Sequence, residues 1–125
     1  MNGIPMRRRG EIWLANLSPR RGTEPGKTRP VLIVQSQPLL DADHPSTVII
    51  PLTANLIEDA APLRIRVPAA GKLQHDSDLL VDQVCAIDCA RIGQGPLTRV
   101  APALMEKIEE AMSVVLDIGG SFDSR

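Results

Sequence analysis

A chain of 125 residues with 43% hydrophobic content, one Trp, one Phe and no Tyr has room for one domain with an aliphatic core, which argues against recognition of bases by stacking on aromatic platforms. The net charge of -1 hides an asymmetry: residues 1–30 carry seven Lys and Arg against two Glu, and the remainder carries seven against thirteen acids. A basic face on an acidic body suits a polyanionic partner whose affinity falls with salt.

In chain order, residues 1–9 read as a disordered basic start, with Arg7, Arg8 and Arg9 adding to the basic face. Glu11 to Leu17 predicts a strand with apolar residues on both sides, hence covered on both faces. Ser18 to Pro30 is a loop of Pro and Gly with four cations, Arg20, Arg21, Lys27 and Arg29, where a polyanion would dock. Arg29 is kept out of helical backbone by Pro30, which is expected at the first position of the next strand, followed by the buried run Val31–Val34.

Gln35 to Pro45, with two prolines, is expected to be a connecting loop, and Thr47 to Leu52 a third strand with Thr53 just beyond it. Arg64 to Val67 alternates charged and apolar residues as an edge strand does. Pro68 to Asp78 reads as a loop, Leu79 to Ile87 as a last strand or strand pair, long enough to bend, and Asp88 to Arg91 as a turn and a short strand. Pro102 to Ile118 is a clear helix, with Leu104, Met105, Ile108, Met112, Val115 and Leu116 on one stripe and Gly119-Gly120 as its stop. Several short strands closed by a C-terminal helix predict a mainly β domain over residues 10–119, a small twisted β-barrel with a short tail at 120–125.

Cys85 and Cys89 form a C-x-x-x-C spacing that matches neither a redox pair nor a zinc site, and they read as reduced core or near-core residues. No metal or cofactor is expected. With no evident signal peptide or long apolar span, the expected location is the cytoplasm, without membrane contact. The remaining chemistry is a cation at the start of one buried strand, Arg29, and a hydroxyl at the end of another, Thr53, which one barrel could bring to the same rim.

Four segments, in order and in register, resemble the MazF/PemK toxin family: Arg9-Gly10-Glu11-Ile12-Trp13; Gly22-Thr23-Glu24-Pro25-Gly26 leading to Arg29-Pro30-Val31-Leu32-Ile33-Val34; Pro51-Leu52-Thr53-Ala54; and Leu80-Val81-Asp82-Gln83-Val84 with Ile87-Asp88 and Arg91-Ile92. The resemblance implies an SH3-like barrel of the CcdB/PemK type, a homodimer, a cognate antitoxin, and metal-independent cleavage of single-stranded RNA to a 2′,3′-cyclic phosphate and a 5′-hydroxyl. Position by position it implies that Arg29 and Thr53 are the catalytic pair, that Glu24 lies on the mobile loop near the RNA, and that Gln83 is a polar position beside it. Arg20, Arg21, Lys27, Thr28 and Asp76 complete the expected substrate side. The general base stays open among Glu24, His75 and Asp76. Pro25 departs from the Gln that many relatives carry there. The alternatives are a CcdB-like gyrase poison, disfavoured because residues 119–125 lack the Trp such toxins use, and a passive RNA-binding barrel.

Overall fold

The computed structural model describes residues 6–17 and 27–119. Within them lie strands β1 (Glu11–Asn16), β2 (Thr28–Ile33), β3 (Ser46–Thr53), β4 (Arg64–Val67), β5 (Ser77–Leu80), β6 (Cys85–Asp88) and β7 (Thr98–Arg99). A short helix α1 (Gln37–Asp41) joins β2 to β3, and α2 (Pro102–Leu116) closes the chain. The strands make one antiparallel sheet in the order β4-β5-β3-β2-β1-β7, with β6 also paired to β3. The expected barrel is a curled half-barrel, since β4 and β7 are not paired with each other among the described residues.

Alternation along the central strands builds two cores. Ile12, Leu32, Ile50, Leu52 and Leu79 face inward and pack with Ile108 and Ala111 of α2. Their neighbours Trp13, Ala15, Val31, Ile33 and Ile49 face the other way and are covered by Ile92 and Leu40. β1 is thus covered on both faces, as its apolar composition requires. Each large aliphatic side chain buried this way contributes about 1.5–3 kcal/mol of transfer free energy.

Two prolines sit inside strands, and the hydrogen-bond pattern explains both. Pro30 is the third residue of β2, not its first, and pairs with Leu14. Leu14 turns its N–H to Gln94 O (2.8 Å) and its carbonyl to Gly93 N (2.7 Å), away from β2. Leu14 and Pro30 are therefore a non-hydrogen-bonded pair, and the N–H that Pro30 lacks would face β3 beyond the last ladder pair, Val31 with Pro51. Pro51 in turn has no N–H to give on its other side, where β5 ends and β6 begins. There the stretch 79–87, read as a strand or strand pair, is a pair: β5 and β6 separated by a 3-10 turn at Val81–Gln83.

Other departures from expectation are local. Pro38 in the first turn starts α1 inside the stretch read as loop. β5 begins at Ser77, within the expected loop, and β7 has two residues, too few for a periodicity to show. α2 ends at Asp117, which takes the left-handed conformation (φ 55°) ahead of Gly119. Leu116 is 44% exposed and leaves the helix stripe. Cys85 is exposed rather than near the core, whereas the Cys89 thiol meets Thr47 Oγ1 at 3.0 Å and donates to His44 O at 3.2 Å. Arg7 to Arg9 are pinned to the domain: Arg9 Nε donates to Val34 O (3.0 Å), its Nη1 to Glu109 (2.6 Å), and Arg7 lies over Trp13. Among the described residues no helix is long and apolar enough to cross a membrane.

Candidate active site

The site is set by strand register. β2 and β3 pair Ile33 with Ile49, Leu32 with Ile50 and Val31 with Pro51. Carried one further step of two residues, the same register sets Arg29 across from Thr53. Residues 29, 31 and 33 of β2 and 49, 51 and 53 of β3 share one face, that of the Trp13 core, so both candidate side chains belong to the same face at the same rim. On its other side Arg29 pairs with the small Ala15, and Leu17 N–H to Lys27 O (2.9 Å) holds the two strand ends together just beyond.

Both residues are half-buried. Among the described residues the Arg29 side chain makes no hydrogen bond or ion pair, in contrast to Arg9, Arg64 and Arg66, which are bound to carboxylates. A half-buried guanidinium whose donors no described residue engages is a planar fork suited to a phosphate. Thr53 Oγ1 accepts from Asn55 N–H at 3.1 Å, the local backbone contact common for Thr. That contact uses a lone pair of the hydroxyl and leaves its proton free to donate.

Lys27 and Thr28, exposed, lead directly into Arg29. Arg20, Arg21 and Glu24 lie outside the described residues. Asp76 is exposed and its Oδ1 accepts from Ala69 N–H at 2.8 Å, so it braces the β4–β5 loop. Gln83 sits on the Val81–Gln83 turn across β3 from β2, and is not brought beside Arg29 by the sheet order. His75 is exposed and lines a groove of about 390 Å³ together with Leu14, Pro30, Leu52, Ala54 and Leu97. Pro30 and Ala54 are the chain neighbours of Arg29 and Thr53 and so point to the other side of the sheet: the groove lies on the Leu52 face, opposite to that of Arg29 and Thr53. Among the described residues no group of three His, Cys, Asp or Glu converges on a point where a metal ion would sit.

One cluster was missed in the sequence. Asp78 of β5, paired with Thr53 and only 1% exposed, accepts from Arg66 Nε (2.6 Å), Ile57 N–H (2.9 Å) and Arg64 Nη1 (3.3 Å). Burial pushes its carboxyl up, but the bonds from Arg66, Ile57 and Arg64 outweigh burial and hold it below its ordinary value. Hydrogen bonds to Asp78 and Glu58 raise Arg66 in turn. The signal for this cluster was the Arg-Ile-Arg alternation of β4, which put two cations on one face and so called for an acid opposite.

A family model described as PemK-like, MazF-like toxin of type II toxin-antitoxin system matches residues 8–116. Endoribonuclease EndoA of Bacillus subtilis is 29% identical over 110 residues, covering 87% of this chain and 93% of that protein. The solved structure of Mycobacterium tuberculosis toxin MazF-mt6 superposes with a TM-score of 0.71 at 20% identity over 87% of this chain and 98% of its own. A MazE-MazF structure from Deinococcus radiodurans gives 0.75 at 18% identity, over 93% of this chain and 100% of its own. Since the match runs from Arg8 through β1 to the last turn of α2, taking in both Arg29 and Thr53, the chain belongs to the PemK-like, MazF-like toxins of type II toxin-antitoxin systems.

Proposed function

We propose that this toxin is a metal-independent, sequence-specific endoribonuclease acting on single-stranded RNA in the cytoplasm, with Arg29 and Thr53 as its reactive pair. The observation that carries the reading is the β2–β3 register, Ile33 with Ile49 through Val31 with Pro51, which supports Arg29 and Thr53 as facing residues when carried two positions further. The relatives support it, being named endoribonucleases in Bacillus subtilis and Staphylococcus saprophyticus.

The chemistry asks little beyond orientation and charge. The ribose 2′-oxygen attacks the adjacent phosphorus, its proton passes to a base, and the P–O5′ bond breaks as O5′ takes up a proton. A 2′,3′-cyclic phosphate and a 5′-hydroxyl result. Negative charge grows on the non-bridging oxygens during attack, where the Arg29 fork and the Thr53 hydroxyl proton stabilise it. Because the substrate supplies the nucleophile, DNA should resist cleavage. Of the candidates for the base, Asp76 has one oxygen engaged with Ala69 N–H, and His75 is exposed at the groove.

A homodimer and a cognate antitoxin complete the proposal. A mycobacterial endoribonuclease with its cognate antitoxin, and MazE-MazF from Deinococcus radiodurans, are among the similar structures. An acidic, disordered antitoxin segment would cover the cations around Arg29 and order on binding. The test is cleavage of a long single-stranded RNA in the presence of EDTA, with mapping of the 5′ ends. The parent should cut at defined sequences, Arg29→Ala should abolish cutting, and Thr53→Ala should slow it about 100-fold while leaving measurable residual cutting. Undiminished cleavage by both variants would refute the site, and loss of parental activity in EDTA would refute metal independence.

A further inference from the structure

The Thr53 hydroxyl is only as well placed as the backbone it leans on. Its one hydrogen bond among the described residues comes from the Asn55 N–H, at the start of an exposed loop that runs from Ala54 toward β4. An exposed loop would leave that amide loosely held unless something fixes it.

The fixing group is the buried carboxylate of Asp78. Arg64 Nη1 donates both to Asp78 Oδ2 (3.3 Å) and to Asn55 O (2.8 Å), so one nitrogen ties the acid to the residue that supports Thr53. Two residues on, Asp78 Oδ2 accepts from Ile57 N–H (2.9 Å). Arg66, bound through Nε to Asp78 Oδ1 (2.6 Å), reaches with Nη2 to Glu58 (3.1 Å). The loop is thereby held at Asn55, Ile57 and Glu58 from one carboxylate, which itself sits across the β3–β5 ladder from Thr53. A polar cluster of this kind, with one member 1% exposed, holds a single geometry when it is complete.

We propose that Asp78 is a positioning residue for RNA cleavage, acting through Arg64 and Asn55 to hold the Thr53 hydroxyl in its reactive orientation. This rests on the reading of Arg29 and Thr53 as the reactive pair. Asp78 itself is covered and touches no substrate; it aims a group that does. The effect therefore belongs in kcat, and it should vanish when the group being aimed is removed.

The experiment is a two-residue cycle. A short single-stranded RNA carrying the sequence mapped from the long transcript, with a fluorophore and a quencher at its ends, serves as substrate for the parent, Asp78→Asn, Thr53→Val and the double variant. Asp78→Asn should lower kcat about tenfold with KM within about twofold. The double variant should match Thr53→Val within about twofold, because the positioned hydroxyl is already gone. Losses that multiply in the double variant, a change in KM alone, or a parental kcat for Asp78→Asn would overturn the proposal while leaving the site intact. A Thr53→Val protein that cuts at the parental rate would instead overturn the site itself. Should Asp78→Asn fail to fold, Arg64→Lys takes its place in the same cycle: it keeps the charge but loses the fork, and the same outcomes decide.

Discussion

Replacing Gly95 by Ala tests whether the outer core holds the strands that carry the site. A Cβ at Gly95 would lie 2.5 Å from Trp13 Cδ2, 2.6 Å from Cε3 and 2.7 Å from Cγ. Ordinary carbon contacts are about 3.5–4.0 Å, so ring and backbone must separate by about 1 Å. Neither is free to yield. Trp13 is 1% exposed, its Nε1–H donates to Glu11 at 3.0 Å, and Arg7 lies 5.2 Å from the ring centroid. The backbone around Gly95 is tied to β1 by Gly93 N–H to Leu14 O, Leu14 N–H to Gln94 O and Leu97 N–H to Ile12 O, all at 2.7–2.8 Å. Overpacking generally costs about 1–3 kcal/mol, and with both sides fastened the upper part of that range applies. At roughly 4 °C per kcal/mol for a domain of this size, the melting temperature should fall by about 8–12 °C. Urea unfolding followed by circular dichroism, with an unchanged m-value, would measure it. A loss below about 0.5 kcal/mol would show that the segment moves aside freely and that the Trp13 core does not hold the rim.

Two further substitutions probe the site and its support. Arg29→Lys keeps the charge and loses the planar fork, so kcat on single-stranded RNA should fall about 10- to 100-fold with the melting temperature unchanged within about 2 °C, since Arg29 has no partner to orphan among the described residues; an equal loss of stability would mark it as structural. Asp78, held below its ordinary value, stabilises the fold fully at neutral pH and loses that contribution as pH falls through the unfolded carboxylate value of about 3.9 and then through its own. Urea midpoints should therefore drop more steeply below about pH 4 for the parent than for Asp78→Asn, and parallel curves would refute the assignment.

The sequence was most legible where one period dominated. The alternation of β1, the apolar run of β2 and the amphipathic stripe of α2 could be read directly, and so could Arg29 and Thr53 as strand-end residues. Elements decided by tertiary pairing were not. The place of the break between β5 and β6, which falls beside Pro51 of another strand, was not readable, and β7 exists only because it lies beside Glu11 and Ile12. Asp78 was read as the end of a loop because its partners, Arg64 and Arg66, are twelve or more positions away and meet it only through the β4–β5 ladder. Arg7 and Arg9, counted toward a basic face, are occupied with Trp13, Ile92, Val34 and Glu109, and no local pattern could show that.

The two strand prolines reach further than local hydrogen bonding. A sheet with one oily and one wet face resists slippage because a shift of one residue would turn its oily side to water. This sheet is apolar on both sides in its centre, so polarity alone would tolerate a shift that exchanged Ile12 with Trp13 or Leu32 with Ile33. Pro30 and Pro51 forbid it, since a one-residue slip would bring a proline nitrogen to a place where the ladder requires a donor. They act as keys cut for one alignment of β1, β2 and β3, the alignment in which Arg29 stands opposite Thr53. Replacing both by Ala would leave composition and hydrophobicity nearly unchanged while removing the feature that tells this sheet which of its near-equivalent pairings is the active one.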